Sequence, residues 1–102
     1  MDFGLKESEI SMINGVFRQH PDISIVKVFG SRATGNFRKN SDVDLVCWGI
    51  ADEIMISRIQ EQLDGLPMPY LFELKAYENI KHKELKQHID EYAKTIYIRA
   101  DE

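Results

Sequence analysis

The sequence predicts an α/β (α+β) fold: one small mixed β-sheet of about four strands, flanked by helices. Three observations lead there. Short runs rich in β-branched residues alternate with longer segments whose apolar residues recur at helical spacing. Glycine, proline and Asn/Asp positions separate the two kinds of segment. The length, 102 residues, suffices for one modest core and not for a second, so 1–102 is predicted as a single domain.

The elements follow in order. Over 6–19, Ile10, Ile13, Val16 and Phe17 share a helical face; Gly15 is its weak position, because glycine costs ~1 kcal/mol against alanine there. "HPD" at 20–22 ends that helix. "ISIVKVF", 23–29, reads as a largely buried strand stopped by Gly30, and a short helix from Ser31 would end at Gly35. "DVDLVCW", 42–48, is a second strand, with Val43 and Leu45 on the face opposite Asp42 and Asp44. Met55, Ile56, Ile59, Leu63 and Leu66 mark a helix over 52–64 that Gly65 and Pro67 stop. "YLFELKAY", 70–77, alternates as a third strand. Asn79 is the expected cap of a last helix with Leu85, Ile89 and Tyr92 as its inner stripe, and "TIYIR", 95–99, is a short closing strand. Strand directions stay open at this level.

Composition narrows the function. A net charge of −4 lacks the excess of Lys and Arg that a protein coating nucleic acid carries. No apolar run approaches the ~20 residues that cross a membrane. The N-terminal segment lacks the charged-then-apolar order of a signal peptide, so a cytoplasmic protein is expected. Cys47 is the sole cysteine and sits in an apolar run, which predicts a buried, inert thiol. His20, His82 and His88 fit no zinc spacing, and the last two read as solvated residues of a charged helix. Trp48 and Tyr92 read as core or partner-contact residues.

The chemistry concentrates in "FGSRATGNFRKNSDVDLV". On a strand, Asp42 and Asp44 point to one face about 6–7 Å apart, and two such carboxylates repel unless a cation lies between them. Magnesium suits that need, because it takes carboxylate and phosphate oxygens together. Alone, an Asp-x-Asp reads more readily as a polar strand start or a turn. Gly30 lets a phosphate approach the backbone, and Ser31 adds a hydroxyl at the start of a short helix. Alone, Gly-Ser reads more readily as a plain strand-to-helix turn. Gly-Ser, ten residues, then Asp-x-Asp arises by chance in such a chain with a probability of ~10⁻³.

This stretch resembles the signature of the polymerase-beta-like nucleotidyltransferase superfamily, and specifically its minimal nucleotidyltransferases (MNT). The match is close in the signature, and the element order extends it less specifically over nearly the whole chain. The resemblance implies a polymerase-beta-like core in which Gly30 and Ser31 hold the β- and γ-phosphates of ATP, with Arg32 beside them. It implies two Mg²⁺ ions on Asp42 and Asp44. The third carboxylate of the family matches Glu73, where relatives usually have Asp; Glu78 is the fallback. Arg38 and Lys39 either neutralise the triphosphate or solvate the loop.

The chain ends about where such a catalytic core ends, so a small acceptor or one delivered by another protein is expected. Minimal nucleotidyltransferases resemble antitoxins that transfer AMP from ATP to a tyrosine of a HEPN-domain ribonuclease toxin. That implies a magnesium-dependent adenylyltransferase in a hetero-oligomer with its toxin. Two alternatives stand beside it: an inactive nucleotide-binding antitoxin that masks its partner, and a small-molecule nucleotidyltransferase.

Overall fold

Alternation along each strand decides which side chains meet the helices and which are left for chemistry. A computed structural model describes residues 3–100; Met1, Asp2, Asp101 and Glu102, which the predicted 1–102 domain includes, lie outside the described residues. The elements are α1 (Glu7–Arg18), β1 (Ile25–Phe29), α2 (Ser31–Thr34), β2 (Val43–Trp48), α3 (Glu53–Asp64), β3 (Phe72–Ala76), a 3₁₀ turn (Tyr77–Asn79), α4 (Lys83–Tyr92) and β4 (Lys94–Ile98). They form one four-stranded sheet in the order β3-β2-β1-β4. β1 runs antiparallel to β2 and to β4, whereas β3 runs parallel to β2, so the sheet is mixed. The predicted order of elements is the observed one.

Val26 and Val28 of β1, Val43, Leu45 and Cys47 of β2, and Phe72, Leu74 and Ala76 of β3 belong to the main core, with Ile13, Val16 and Phe17 of α1 and Ile56, Ile59 and Leu63 of α3. That face of the sheet is closed. Burial pushes the Cys47 thiol up to about 12, so it stays protonated, in line with its predicted inertness. The other face carries a much smaller cluster, in which Ile89 of α4 packs against Phe29 and Val46. Beyond that cluster, towards the start of β2, this face lies open.

Two local expectations change. The last helix is capped by His82, whose Nδ1 accepts from the Leu85 N–H at 3.2 Å, and not by Asn79. The Asn79 amide instead donates to the Ala51 carbonyl at 2.7 Å and to Glu53 Oε2 at 2.6 Å, tying the 3₁₀ turn to the start of α3. Tyr92, expected in the inner stripe, is 50% exposed, while Ile89 of that stripe is buried against Phe29 and Val46.

β3 is an edge strand, and its outer side is plugged by a side chain. Gln60 of α3 donates from Nε2 to the Phe72 carbonyl at 2.7 Å and accepts at Oε1 from the Leu74 N–H at 2.9 Å. One amide thus supplies the donor and acceptor that a further strand would have brought. This fixes β3, and with it the register that pairs Val43 with Phe72, Asp44 with Glu73 and Leu45 with Leu74.

Candidate active site

The open face collects the carboxylates. Asp44 and Glu73 are direct neighbours on parallel strands, and strand spacing puts their backbones about 4.8 Å apart. Asp42 is exposed at the mouth of β2 on the same side. Asp44 is half-buried, and its carboxyl is pushed above the usual range first by that burial, then by the charges of Glu73 and Asp42, against a smaller opposing pull from Lys75. Lys75, also on the open face of β3, lies 3.4 Å from Glu73 Oε2. Glu78 sits elsewhere: it accepts from the Gly49 N–H at 3.3 Å, past the far end of β2. Glu73, not Glu78, is the carboxylate beside the Asp pair.

The Gly30 turn hangs over Asp44. Gly30 has φ 75° and ψ −152°, a combination that only glycine adopts readily. A Cβ there would lie 2.5 Å from Asp44 Oδ2, so the backbone passes over the carboxylate with no room for a side chain. Gly30 also caps α2: Ala33 and Thr34 donate to its carbonyl at 3.1 and 3.2 Å. The N–H groups of Ser31 and Arg32 come before those first intrahelical bonds and so have no acceptor within the helix. Gly35, at φ 91°, ends this single turn, as predicted.

Arg32, expected beside the triphosphate, is turned the other way. It is 1% exposed, and its guanidinium donates to the Ser41 carbonyl from Nε (3.1 Å) and Nη2 (2.8 Å), to the Phe3 carbonyl from Nη1 (2.9 Å) and to Lys39 O from Nη2 (3.4 Å). The rings of Phe37 and Tyr70 lie 5.2 and 4.8 Å from its carbon. A buried charge is tolerated only when it is hydrogen-bonded, and these carbonyls do that. Arg32 therefore fastens the loop before Asp42 to α2, while Arg38 and Lys39 are exposed on that loop.

The expectation that His88 is a solvated residue of a charged helix does not hold. His88 is half-buried, and its Nε2 accepts the Gly30 N–H at 3.1 Å. Phe29 meets its ring edge-on at 6.4 Å, and Tyr92 lies 5.4 Å away. The signal for it was faint but present: His88 falls in the 85, 89, 92 stripe, where a polar residue needs a partner. Trp48 is stacked on Tyr77 at 4.7 Å, towards the other end of β2.

A cleft of ≈ 350 Å³ opens beyond β3, lined by residues that include Leu74, Lys75, Asn79, Ile80, His82 and Leu85. Asp42, Asp44 and Glu73 lie outside it, so the chemistry-bearing groups occupy an open surface rather than this hollow. Among the described residues, no three His, Cys, Asp or Glu side chains form a ready metal cage. The donors nonetheless suit magnesium. They are hard oxygens, and Asp44 carries a burial and repulsion penalty that a divalent cation would relieve.

The sequence model of the family "Polymerase beta, Nucleotidyltransferase" matches residues 11–102. The chain belongs to that family. No curated protein matches the chain by sequence. Among solved structures, a toxin–antitoxin with AMP-PNP is similar at a TM-score of 0.72 and 20% identity, covering 93% of this chain and 75% of that one. The toxin–antitoxin MntA-HepT gives 0.70 and 16%, over 92% and 74%. A tri-AMPylated Shewanella oneidensis HEPN toxin in complex with MNT antitoxin gives 0.70 and 15%, over 93% and 74%. At these identities the likeness establishes this nucleotidyltransferase's fold.

Proposed function

We propose that this nucleotidyltransferase moves AMP from ATP to a tyrosine hydroxyl of a HEPN ribonuclease toxin, and so acts as that toxin's antitoxin in the cytoplasm. The observation that carries the transfer reaction is the pairing of Asp44 with Glu73 on parallel strands, beside Asp42 and directly under the Gly30 turn. AMP-PNP in one structural neighbour and an AMPylated toxin in another support the choice of nucleotide and acceptor.

Each residue then has a task. The hydroxyl of Ser31 and the N–H groups opening α2 bind the β- and γ-phosphates. Asp42, Asp44 and Glu73 would hold two Mg²⁺, which when bound neutralise the triphosphate and polarise the α-phosphate. Glu73, 59% exposed, takes the proton of the incoming hydroxyl in this reading, or helps to lower that hydroxyl's pKa through the bound metal. The hydroxyl oxygen bonds to the α-phosphorus, the bond from that phosphorus to the bridging oxygen of the β-phosphate breaks, and pyrophosphate leaves with the electron pair. Arg32 keeps the loop that carries Asp42 in place.

A second reading has its own observation. Glu73 is one methylene longer than the usual Asp and is paired with Lys75, which favours a weak or inactive enzyme that masks its partner. Incubation of the HEPN toxin with α-labelled ATP, Mg²⁺ and either wild type or the Asp42→Asn, Asp44→Asn double variant decides between them. Label on the toxin with wild type only, together with lost neutralisation by the variant, supports transfer. Neutralisation by the variant as complete as by wild type overturns transfer in favour of masking. Label on a small molecule in place of the toxin overturns the acceptor.

A further inference from the structure

We infer that His88 is a positioning residue for nucleotide binding, acting by holding the Gly30 peptide; this rests on the phosphate role proposed for the turn. A peptide N–H can only donate, so the 3.1 Å contact from Gly30 N to His88 Nε2 fixes that nitrogen as the acceptor and places the imidazole proton on Nδ1. The bond spans 58 residues of sequence and joins α4 to the end of β1.

Three constraints make this contact more than incidental. Gly30 stands in a conformation that its own sterics do not hold in place, since glycine also visits the opposite sign of φ readily. A Cβ built on it would lie 2.5 Å from Asp44 Oδ2, so any rotation of the peptide changes the room above that carboxylate. His88 itself is anchored, because the adjacent Ile89 is buried against Phe29 and Val46 and the His88 ring meets the edge of Phe29. The histidine thus transmits the docking of α4 to the turn that orients Ser31 and the first N–H groups of α2. It also engages the Gly30 N–H, which leaves phosphate contacts to Ser31 and the residues after it.

Two measurements test this. In ¹⁵N-labelled wild type, imidazole NMR is expected to show the Nδ1–H tautomer for His88, with the Gly30 amide protected from exchange; an Nε2–H tautomer or an unprotected Gly30 amide overturns the contact. His88→Leu, which removes the acceptor, is expected to raise the KM for ATP and the Kd of a fluorescent ATP analogue about tenfold, the usual size for a stranded partly buried donor. kcat should stay within about threefold, since a residue that only positions the bound nucleotide leaves the chemical step intact. His88→Gln, whose Oε1 reaches the same place, should restore KM to within about threefold of wild type. A Gln variant as poor as Leu, a Leu variant that binds like wild type, or a fall in kcat at constant KM each overturn the positioning role. Wild type that binds no nucleotide overturns the proposed function and this role together, while the NMR result still reports the contact on its own.

Discussion

The two faces of the sheet use their residues differently. On the closed face, β1, β2 and β3 contribute apolar side chains to one continuous core with α1 and α3. On the open face, the same strands contribute Phe29 and Val46 to a much smaller cluster, then the half-buried Asp44 and Lys75 and the exposed Glu73. The closed face supplies the stability that the open one gives up. Asp44 makes the cost visible: its burial and its two carboxylate neighbours raise its pKa, so the ionised native state is penalised relative to the unfolded chain. The pattern is that of a carboxylate-bearing surface backed by a closed core.

The comparison breaks most completely at Gly30, where the backbone closes on the Asp44 carboxylate. Gly30→Ala meets both a left-handed φ of 75° and a Cβ 2.5 Å from Asp44 Oδ2. Strain and overlap together are expected to cost about 3–5 kcal/mol. Thermal unfolding should show the loss and nucleotidyl transfer should be undetectable. An alanine variant with wild-type melting and transfer would show that the turn is not built as described.

Asp44→Asn separates the faces by sign. Transfer is expected to fall about 10³-fold, or about 4 kcal/mol of barrier, as the proposed metal site loses one of its charged oxygens. Stability should move the other way. Because the folded pKa of Asp44 is raised, the native state binds the extra proton between the unfolded value of 3.8 and that higher value. Stability of the wild type therefore falls as pH rises through this window, and the variant removes that fall. At neutral pH the variant should melt slightly higher, while added Mg²⁺ should stabilise the wild type more than the variant. A lower melting point at every pH would mean that Asp44 contributes to the fold.

Ile59→Ala is the complementary cut. Ile59 is fully buried on α3, and its truncation should cost about 2–4 kcal/mol in denaturant unfolding. Specific transfer by the folded fraction should be unchanged. A matching fall in kcat would show that the closed face reaches the chemistry directly.

The closed face was also the legible one. The 3.6-residue spacing of Ile13, Val16 and Phe17, and of Ile56, Ile59 and Leu63, marks both helices because burial repeats with the helical turn. On β2, period-two alternation put Val43 and Leu45 opposite Asp44 correctly, since a strand leaves no other choice. The carboxylates were visible for the same reason. What the sequence hid were side chains whose partners are backbone atoms far along the chain. Arg32 follows Gly-Ser like a phosphate ligand, yet its acceptors are carbonyls of loop residues whose path no local pattern encodes. His88 meets a peptide N–H 58 residues away. His82 outcompetes Asn79 as a cap because Asn79 is held by Ala51 and Glu53 across the fold.

The smallest effect comes where the two faces meet. Gln60 projects from α3, on the closed side, yet its amide holds the strand that presents Glu73 on the open side. In Gln60→Ala, the Phe72 carbonyl and Leu74 N–H lose this partner at a sheet edge that water can reach, so the stability cost should be only about 1 kcal/mol. The effect on transfer should be larger than that cost suggests. The parallel pairing of Asp44 with Glu73 depends on β3 staying in register, and a looser edge strand lets Glu73 drift from its neighbour. We expect kcat to fall about three- to tenfold, because small misplacements of reacting groups are costly. Exchange rates of the β3 amides, read beside kcat, check the cause. Faster exchange across β3 with reduced kcat would place the boundary between the faces at Gln60. Unchanged exchange with reduced kcat would mean that Gln60 reaches the reaction by another route, and unchanged kcat would mean that β2 alone sets the position of Glu73.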